Sequence, residues 1–222
     1  MREVNVLRAA SFRTFGPRLF DPLMISGLID DLKARYNFKQ APTADEAAQK
    51  PASFESGEFK LGSSTVPIEQ LLISYIGMAT TSIAASTRTS TDDADLFLDD
   101  LVIWVGKKYR LDAKERFPRA YNSALEFVFE GPPLDTRFRS LAAIGKVVTH
   151  YVRNYDLRGC PTYEPEGFSL HFEVKPELIP SPVPFSLQRR LGYPYAENRF
   201  FSNAPLKTND HQAVLEMLEK NL

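Results

Sequence analysis

Apolar and polar positions alternate along much of the chain, and a period of two residues is the pattern of a half-buried β-strand. The segments that we predict as strands are 4–15, 53–61, 69–76, 78–88, 120–130, 167–175, 185–190 and 199–202. Gly77 lies between two of them and supplies the backbone freedom that a tight reversal needs. The sequence therefore predicts a β-hairpin around Gly77.

Apolar residues also recur at helical spacing, which predicts helices at about 21–36, 92–108, 134–155 and 209–221. The second helix has the strongest signals, because a Ser/Thr cap, aspartates in the first turn and lysines in the last turn suit the helix dipole. Its inward face is predicted to consist of Ala94, Phe97, Leu98, Leu101, Val102 and Val105. In the third helix we expect the inward residues to be Leu134, Phe138, Leu141, Ile144, Val148, Tyr151 and Tyr155.

The order of these elements is β-α-β-β-β-α in residues 1–109 and again in residues 117–222. A charged connector, 110–119, lies between the two halves, and the segment 41–52 has no clear apolar face and is predicted to be a loop. This order predicts an α+β fold with a mainly antiparallel sheet and helices on one face. It also favours an internal duplication, with two similar halves that form one continuous domain or two packed copies.

The composition supports a folded protein with a sizeable core, since 43% of the 222 residues are apolar. No apolar run is long enough to span a bilayer, and the first residues mix charged and apolar positions, unlike a signal peptide. The single cysteine, Cys160, excludes an internal disulfide and fits a reducing compartment. We therefore expect a cytoplasmic protein without a membrane partner.

The net charge of −1 gives the whole molecule no long-range attraction for nucleic acid or anionic lipid. The charges are unevenly distributed, however. Residues 42–104 contain three Lys or Arg against ten Asp or Glu, a net of −7, whereas residues 105–158 contain eleven against six, a net of +5. This asymmetry suits head-to-tail self-association or an acidic partner, although solvated faces of opposite sign are the commoner outcome.

One short pattern points to metal-dependent nuclease chemistry. Glu173 and Lys175 lie two residues apart on a predicted strand, so their side chains share a face, and Asp156 is the upstream aspartate that such a site needs. The same Glu-Phe/Val-Lys spacing recurs at Glu58 and Lys60, however, as expected for a polar row that faces solvent. The nuclease is therefore the weaker alternative.

The other catalytic and metal-binding patterns are incomplete. His171 and Glu173 share a strand face, but no third ligand stands at a recognisable spacing. The aspartates near residue 92 lack the alternation and central glycine of a calcium loop. Neither a phosphate loop nor a nucleophile elbow is present. We therefore predict no catalytic residue, no metal and no cofactor, which makes an enzyme less favoured than a non-catalytic binding or assembly subunit.

The best candidate for a binding surface is the segment from Phe185 to Lys207. Its predicted binding residues are Arg189, Arg190, Tyr193, Tyr195 and Arg199. Tyr and Arg dominate the buried centres of protein interfaces, and four prolines before the segment stiffen its approach. Basic and aromatic residues together also suit nucleic acid, with Arg137, Arg139, Lys146 and Arg153 along the third helix. We predict a protein partner or self-association, with nucleic acid as the alternative.

Overall fold

The computed structural model describes residues 1–16, 25–76, 80–111, 114–115, 118–131, 139–153, 165–171 and 182–221. In this part of the chain, eight strands form one antiparallel sheet, accompanied by five α-helices. The strands are β1 (Arg2–Phe15), β2 (Ala52–Leu61), β3 (Ser64–Ile76), β4 (Thr80–Thr87), β5 (Ala120–Val128), β6 (Gly167–Leu170), β7 (Phe185–Arg189) and β8 (Arg199–Ala204). The helices are α1 (Ile25–Tyr36), α2 (Ala44–Gln49), α3 (Thr91–Tyr109), α4 (Arg139–Arg153) and α5 (Thr208–Asn221). The predicted α+β class is confirmed, while Gly77 lies outside the described residues.

The order of strands in the sheet is β2-β3-β4-β1-β5-β8-β7-β6. The two central strands, β1 and β5, are the first strands of the two predicted halves, and they pair antiparallel. Outward from this pair, each half follows with its fourth, third and second strand. The described strands of the two halves therefore share one order, while an origin by duplication stays a prediction.

The larger core belongs to the first half, where α1 and α3 pack on the sheet. Its buried residues include Leu32, Phe54, Ile83 and Phe97, and Tyr36 meets Phe97 edge to face with ring centroids 4.8 Å apart. The predicted inward face of α3 is confirmed except at Val102, which is only partly buried.

The smaller core belongs to the second half, where α5 packs on β5, β7 and β8. Its buried members are Leu125, Phe127, Phe129, Leu187, Phe200 and Leu215. Phe127 and Phe200 come from neighbouring strands and stack with centroids 6.3 Å apart. The sequence predicts that Tyr121, Leu125, Phe127 and Phe129 share one face of this strand; Leu125, Phe127 and Phe129 are confirmed as core residues, whereas Tyr121 is only partly buried.

The loop predicted at 41–52 is wrong in part, because the structure contains helix α2 there. Thr43 and Glu46 form a reciprocal capping box: the Thr43 side chain accepts from the Glu46 amide, and the Glu46 carboxylate accepts from the Thr43 amide. Only Ala47 of this helix is buried. The helix therefore depends on its cap rather than on an apolar face, which is why hydrophobic periodicity missed it.

The orientation predicted for α4 is also wrong at two of its residues. Ile144 and Tyr151 are 60% and 58% exposed, whereas Thr149 is buried and Val148 is partly buried. The main helix-to-sheet contacts of the described residues are made by α1, α3 and α5. Leu134, Phe138, Tyr155 and the side chain of Leu141, which were also predicted to face inward, lie outside the described part of the chain. None of the described helices, α4 included, combines the length and apolar character needed to cross a bilayer.

Candidate protein-binding surface

The predicted binding residues converge on the turn between β7 and β8, at one end of the sheet. Arg189 is the last residue of β7, Arg199 is the first of β8, and Tyr193 lies in the turn. The backbone of Tyr195 begins a short 3-10 helix, Tyr195–Glu197, while its side chain lies outside the described part of the structure. A chain segment of about ten residues thus brings these positions together.

Arg189 and Arg190 point to opposite faces of the sheet, as successive residues of a strand do. The guanidinium of Arg189 lies 5.0 Å from the ring centroid of Phe200, and the residue is only 6% exposed. Arg190 is on the other face, with its side chain 46% exposed. Of the two arginines, only Arg190 contributes to an accessible surface.

Glu126, on the central strand β5, forms ion pairs with Arg190 and Arg199 on the face opposite Arg189. Its Oε1 accepts from Nη1 of Arg199 at 3.1 Å, and its Oε2 lies 3.3 Å from Nε of Arg190. Arg199 also donates to Glu3 on β1 at 2.5 Å, and this hydrogen bond raises the pKa of the Arg199 guanidinium. Glu197 Oε2 lies 4.0 Å from Nε of Arg199 as well, so three carboxylates face two guanidinium groups and the cluster has no excess positive charge.

The turn itself is fixed by its backbone and by Asn198. Asn198 is buried with a φ of 53°, and its Nδ2 donates to the carbonyls of Phe129 and Gly131 at 3.2 Å each. The amide of Arg190 donates to the carbonyl of Arg199 at 2.9 Å, which closes the turn. Gly192 adopts a φ of 87°, a conformation that side chains rarely allow.

This fixed turn presents apolar side chains to solvent. Leu191 is 80% exposed and Tyr193 is 44% exposed. The ring of Tyr193 lies on Arg199, with the guanidinium carbon 4.8 Å from the ring centroid. We call the side chains of Arg190, Leu191, Tyr193 and Arg199 the β7–β8 turn surface.

Sequence reasoning missed Glu126, Glu3, Leu191 and Asn198 as parts of this surface. A signal for Glu126 was present, because it is an acid in the middle of the apolar run 124–129 of a predicted strand. A buried carboxylate needs a cationic partner, so its position predicts an arginine on a neighbouring strand. Which arginine pairs with it depends on the sheet order.

A second polar cluster lies between β1, α3 and the connector. Arg13 is 1% exposed, and its Nη1 donates to Asp99 at 2.7 Å while its Nη2 donates to the carbonyl and to Oδ1 of Asp95 at 2.7 and 3.0 Å. Arg119 binds the other oxygen of Asp95 at 2.9 Å and also pairs with Glu115. The cluster joins the connector to both α3 and the central strand.

Asp95 stays ionised within this cluster. Burial acts to raise the pKa of its carboxyl group, but the hydrogen bond from Ser11 at 2.6 Å and the charge of Arg13 outweigh burial and lower the pKa. Asp95 and Asp99 of α3 therefore receive cations from β1 and from the connector. Some of the unevenly distributed charges seen in the sequence therefore form ion pairs within the fold.

His211, on α5, is fully buried between two serines. Ser123 Oγ lies 2.7 Å from its Nδ1 and Ser202 Oγ lies 2.9 Å from its Nε2. Ser202 Oγ donates to the carbonyl of Ser186, so it accepts from Nε2–H, and Ser123 donates to Nδ1. Burial lowers the pKa of His211 to about 4. This neutral, inaccessible imidazole anchors α5 to the sheet.

The nuclease residues predicted from the sequence, Asp156, Glu173 and Lys175, lie outside the described residues. His171 is exposed at the end of β6, and Glu58 and Lys60 are exposed on β2. Among the residues that the structure describes, no group of three or more His, Cys, Asp or Glu side chains is placed to hold a metal ion.

The structure describes only some of the basic residues that were predicted for the alternative, a nucleic-acid surface. Lys146 and Arg153 are exposed on α4, whereas Arg137 and the side chain of Arg139 lie outside the described part of the chain.

Comparison with known proteins adds no assignment to this geometry. No protein-family model matches the chain, and no curated protein matches it significantly.

Proposed function

We propose that the protein is a non-catalytic binding subunit that docks a partner protein through the β7–β8 turn surface. The observation that carries the proposal is the 80% exposure of Leu191 on a turn held by Glu126 and Asn198. An exposed leucine on a mobile loop would be unremarkable. On a fixed turn beside a tyrosine and two arginines, it has the composition of an interface centre with a polar rim.

The charge balance of the surface supports a protein partner over nucleic acid. Arg190 and Arg199 are both paired with Glu126, and Arg199 is also paired with Glu3. A phosphate would have to compete with these carboxylates for the same guanidinium groups, and a cluster in which carboxylates outnumber guanidinium groups gives it no long-range attraction. A partner protein with an apolar pocket would bury Leu191 and the exposed side of Tyr193, and it would not have to displace these carboxylates.

The fixed turn also lowers the entropic cost of docking. The hydrogen bonds of Asn198 and the ion pairs of Glu126 hold the turn backbone before any partner arrives. Residues that are already ordered lose little conformational freedom on binding. We therefore expect a partner that recognises the turn in the conformation described above.

The test compares two variants in affinity capture from the organism that makes the protein. Leu191→Asp combined with Tyr193→Ala should lose the captured partner or weaken its binding by at least about tenfold, because truncation of interface anchors costs that much. The matched control is Met217→Asp, which changes an apolar residue that is 57% exposed on α5. The control should bind the partner like the unchanged protein.

Equal partner binding by the double variant and the control would refute the proposal, provided that both melt at the temperature of the unchanged protein. Labelled DNA and RNA, incubated with the protein in magnesium or manganese, provide the second arm of the test. We expect neither binding nor cleavage. Binding that disappears with Arg190→Ala would favour the nucleic-acid alternative instead.

A further inference from the structure

Strand β2 is the first strand in the sheet order, so its outer side is an edge of the whole sheet. Among the described residues, only the middle of this edge is paired. Glu55 and Gln40 exchange backbone hydrogen bonds at 2.9 and 3.2 Å. The amide of Lys39 donates to the carbonyl of Ser56 at 3.3 Å. Beyond this bridge, no described strand lies beside residues 57–61 on their outer side. We call these five residues the β2 edge.

The backbone of the β2 edge points outward at Glu58 and Lys60. Glu58 lies opposite Pro67 of β3, which has no N–H to donate. The carbonyl of Pro67 accepts from Thr87 Oγ1, on the β4 side, at 2.8 Å, so the backbone of Pro67 is directed away from β2. Opposite residues of an antiparallel pair either bond to each other or both turn away. The N–H and C=O of Glu58 therefore face the outer side, and so do those of Lys60, two residues further on.

The side chains of the β2 edge alternate between charged and apolar. Glu58 and Lys60 are exposed on one face of the sheet, whereas Phe59 is buried on the other. Glu58 accepts one long hydrogen bond, from Asn37 Nδ2 at 3.4 Å, and neither Glu58 nor Lys60 forms an ion pair within the described residues. A cavity of about 460 Å³ opens beside residues 58–60, so there is space next to this stretch.

We propose that the chain self-associates by pairing its β2 edge with the β2 edge of a second copy, antiparallel and two-fold symmetric about Phe59. Residue 58 of each copy then lies directly opposite residue 60 of the other. Glu58 and the opposing Lys60 share a face, with Cβ atoms about 5 Å apart, which is the distance of a cross-strand ion pair. The two-fold axis repeats every contact, so each dimer contains two such pairs.

The charges select this register over its neighbours. A two-fold axis at residue 58 would set two glutamates opposite each other, and an axis at residue 60 would set two lysines opposite each other. An axis between two residues, such as Glu58 and Phe59, would put charged side chains of one copy on the apolar face of the other. Only the axis at Phe59 joins opposite charges and keeps both faces of the sheet consistent.

The apolar face of the β2 edge supports the same register. Leu61 is 38% exposed and lies opposite Gly57 of the second copy when the axis is at Phe59. The ring of Phe38 occupies the position where a side chain of residue 57 would lie, since a Cβ added to Gly57 would be 2.4 Å from that ring. Leu61 of one copy therefore packs beside Phe38 of the other and loses exposed apolar surface.

A second copy is selected as the partner because Glu58 and Lys60 are complementary to themselves under two-fold symmetry. The strand of another protein would match the β2 edge only if it carried a lysine and a glutamate at the same spacing. The proposal uses none of the residues of the β7–β8 turn surface, so it is independent of the proposed function.

The first test is sedimentation velocity of the purified protein over a range of concentrations. Five residues from each copy make a small interface, and interfaces below about 1,200 Å² bind weakly, so concentrations up to about 1 mM are needed. The average mass should rise from the 25.1 kDa of one chain towards that of two. A mass that stays at 25.1 kDa at every concentration would overturn the proposal.

The second test exchanges the two charges. Glu58→Lys alone or Lys60→Glu alone sets like charges opposite each other twice in a dimer, so each should weaken self-association by at least about tenfold. The variant that carries both changes has the opposite charges in reversed order and should self-associate like the unchanged protein. An equimolar mixture of the two single variants should form a complex of two chains, because the acids of one variant face the lysines of the other.

The matched control is Lys220→Glu, which makes the same change of charge at an exposed position of α5 and should self-associate like the unchanged protein. Circular dichroism should show all the variants folded, since each change is on an exposed side chain. Self-association of Lys60→Glu as tight as that of the control would overturn the proposed pairing. So would a double variant that stays as weak as the single variants.

Discussion

At the scale of single residues, the fold is tied together by buried polar side chains whose partners come from distant parts of the chain. Ser11 and Asp95, hydrogen-bonded at 2.6 Å, are 84 residues apart, and His211 is 88 residues from Ser123. A buried polar group without a partner costs free energy, so each of these contacts fixes the position of one element against another. The stability of the protein should therefore depend on the ionisation of these groups.

The first prediction concerns His211 and pH. Its pKa is about 4 in the folded protein against 6.5 for an ordinary histidine. The unfolded chain therefore binds more protons between these values, and stability falls as the pH drops from 6.5 towards 4. We expect this residue to account for a loss of about 2 kcal/mol in the free energy of unfolding between pH 7 and pH 4.5.

Urea unfolding at a series of pH values measures this effect. The matched variant His211→Gln keeps a hydrogen-bonding side chain without a titrating group. We expect it to be less stable at pH 7 but to lose less stability than the unchanged protein between pH 7 and pH 4.5. Equal pH dependence in the two proteins would mean that His211 is not the group that titrates.

At the scale of elements, helices α3 and α4 differ in how much of their apolar surface they bury. Helix α3 directs its apolar residues into the larger core and ends in a left-handed cap at Arg110 with a φ of 55°. Helix α4 exposes Ile144, Val147 and Tyr151 instead. Since helices in proteins are stabilised mainly by tertiary packing, α4 should be the less stable of the two.

The second prediction is that the amide hydrogens of α4 exchange with solvent at least about tenfold faster than those of α3, because weakly packed segments open locally. Hydrogen exchange followed by mass spectrometry at low protein concentration measures this difference. Peptides from residues 143–153 and 94–105 are compared directly. Equal protection of the two helices at low concentration would contradict the exposure described for α4.

At the scale of the whole molecule, β1 makes the two cores one structure. It pairs with β4 on one side and with β5 on the other, and α3 contacts all three of these strands. Thr91 at the start of α3 and Thr208 at the start of α5 also exchange hydrogen bonds across the halves at 2.9 and 3.0 Å. Unfolding either half would expose one side of a central strand, so the halves should not unfold separately.

The third prediction is therefore a single unfolding transition. Leu101→Ala removes packing from the larger core and Leu215→Ala from the smaller core, and both residues are fully buried. Each should lower the melting temperature of the same transition by roughly 5–15 °C. Circular dichroism in the far and near ultraviolet should give coincident curves. Two transitions, of which each variant moves only one, would show independent domains.

The sequence by itself determined most of the elements and their order. The periods of two and 3.6 residues are local properties, and so are the Ser90 cap and the aspartates at the start of α3. These local signals predicted the ends of β1, β5 and α3 to within a few residues. Hydrophobic periodicity did not predict helix α2, because the signal for this helix is a capping box on a segment with only one buried residue.

Only the tertiary structure decided which side of an element is used and which charges meet. Arg189 and Arg190 are neighbours in sequence, yet one is packed on Phe200 and the other reaches Glu126. Likewise, the side of α4 that is buried depends on its contacts with other elements and not on its own hydrophobic periodicity. Glu126 is 73 residues from Arg199, and only the adjacency of β5 and β8 in the sheet brings them together. Such pairings depend on strand order, which local periodicity does not encode.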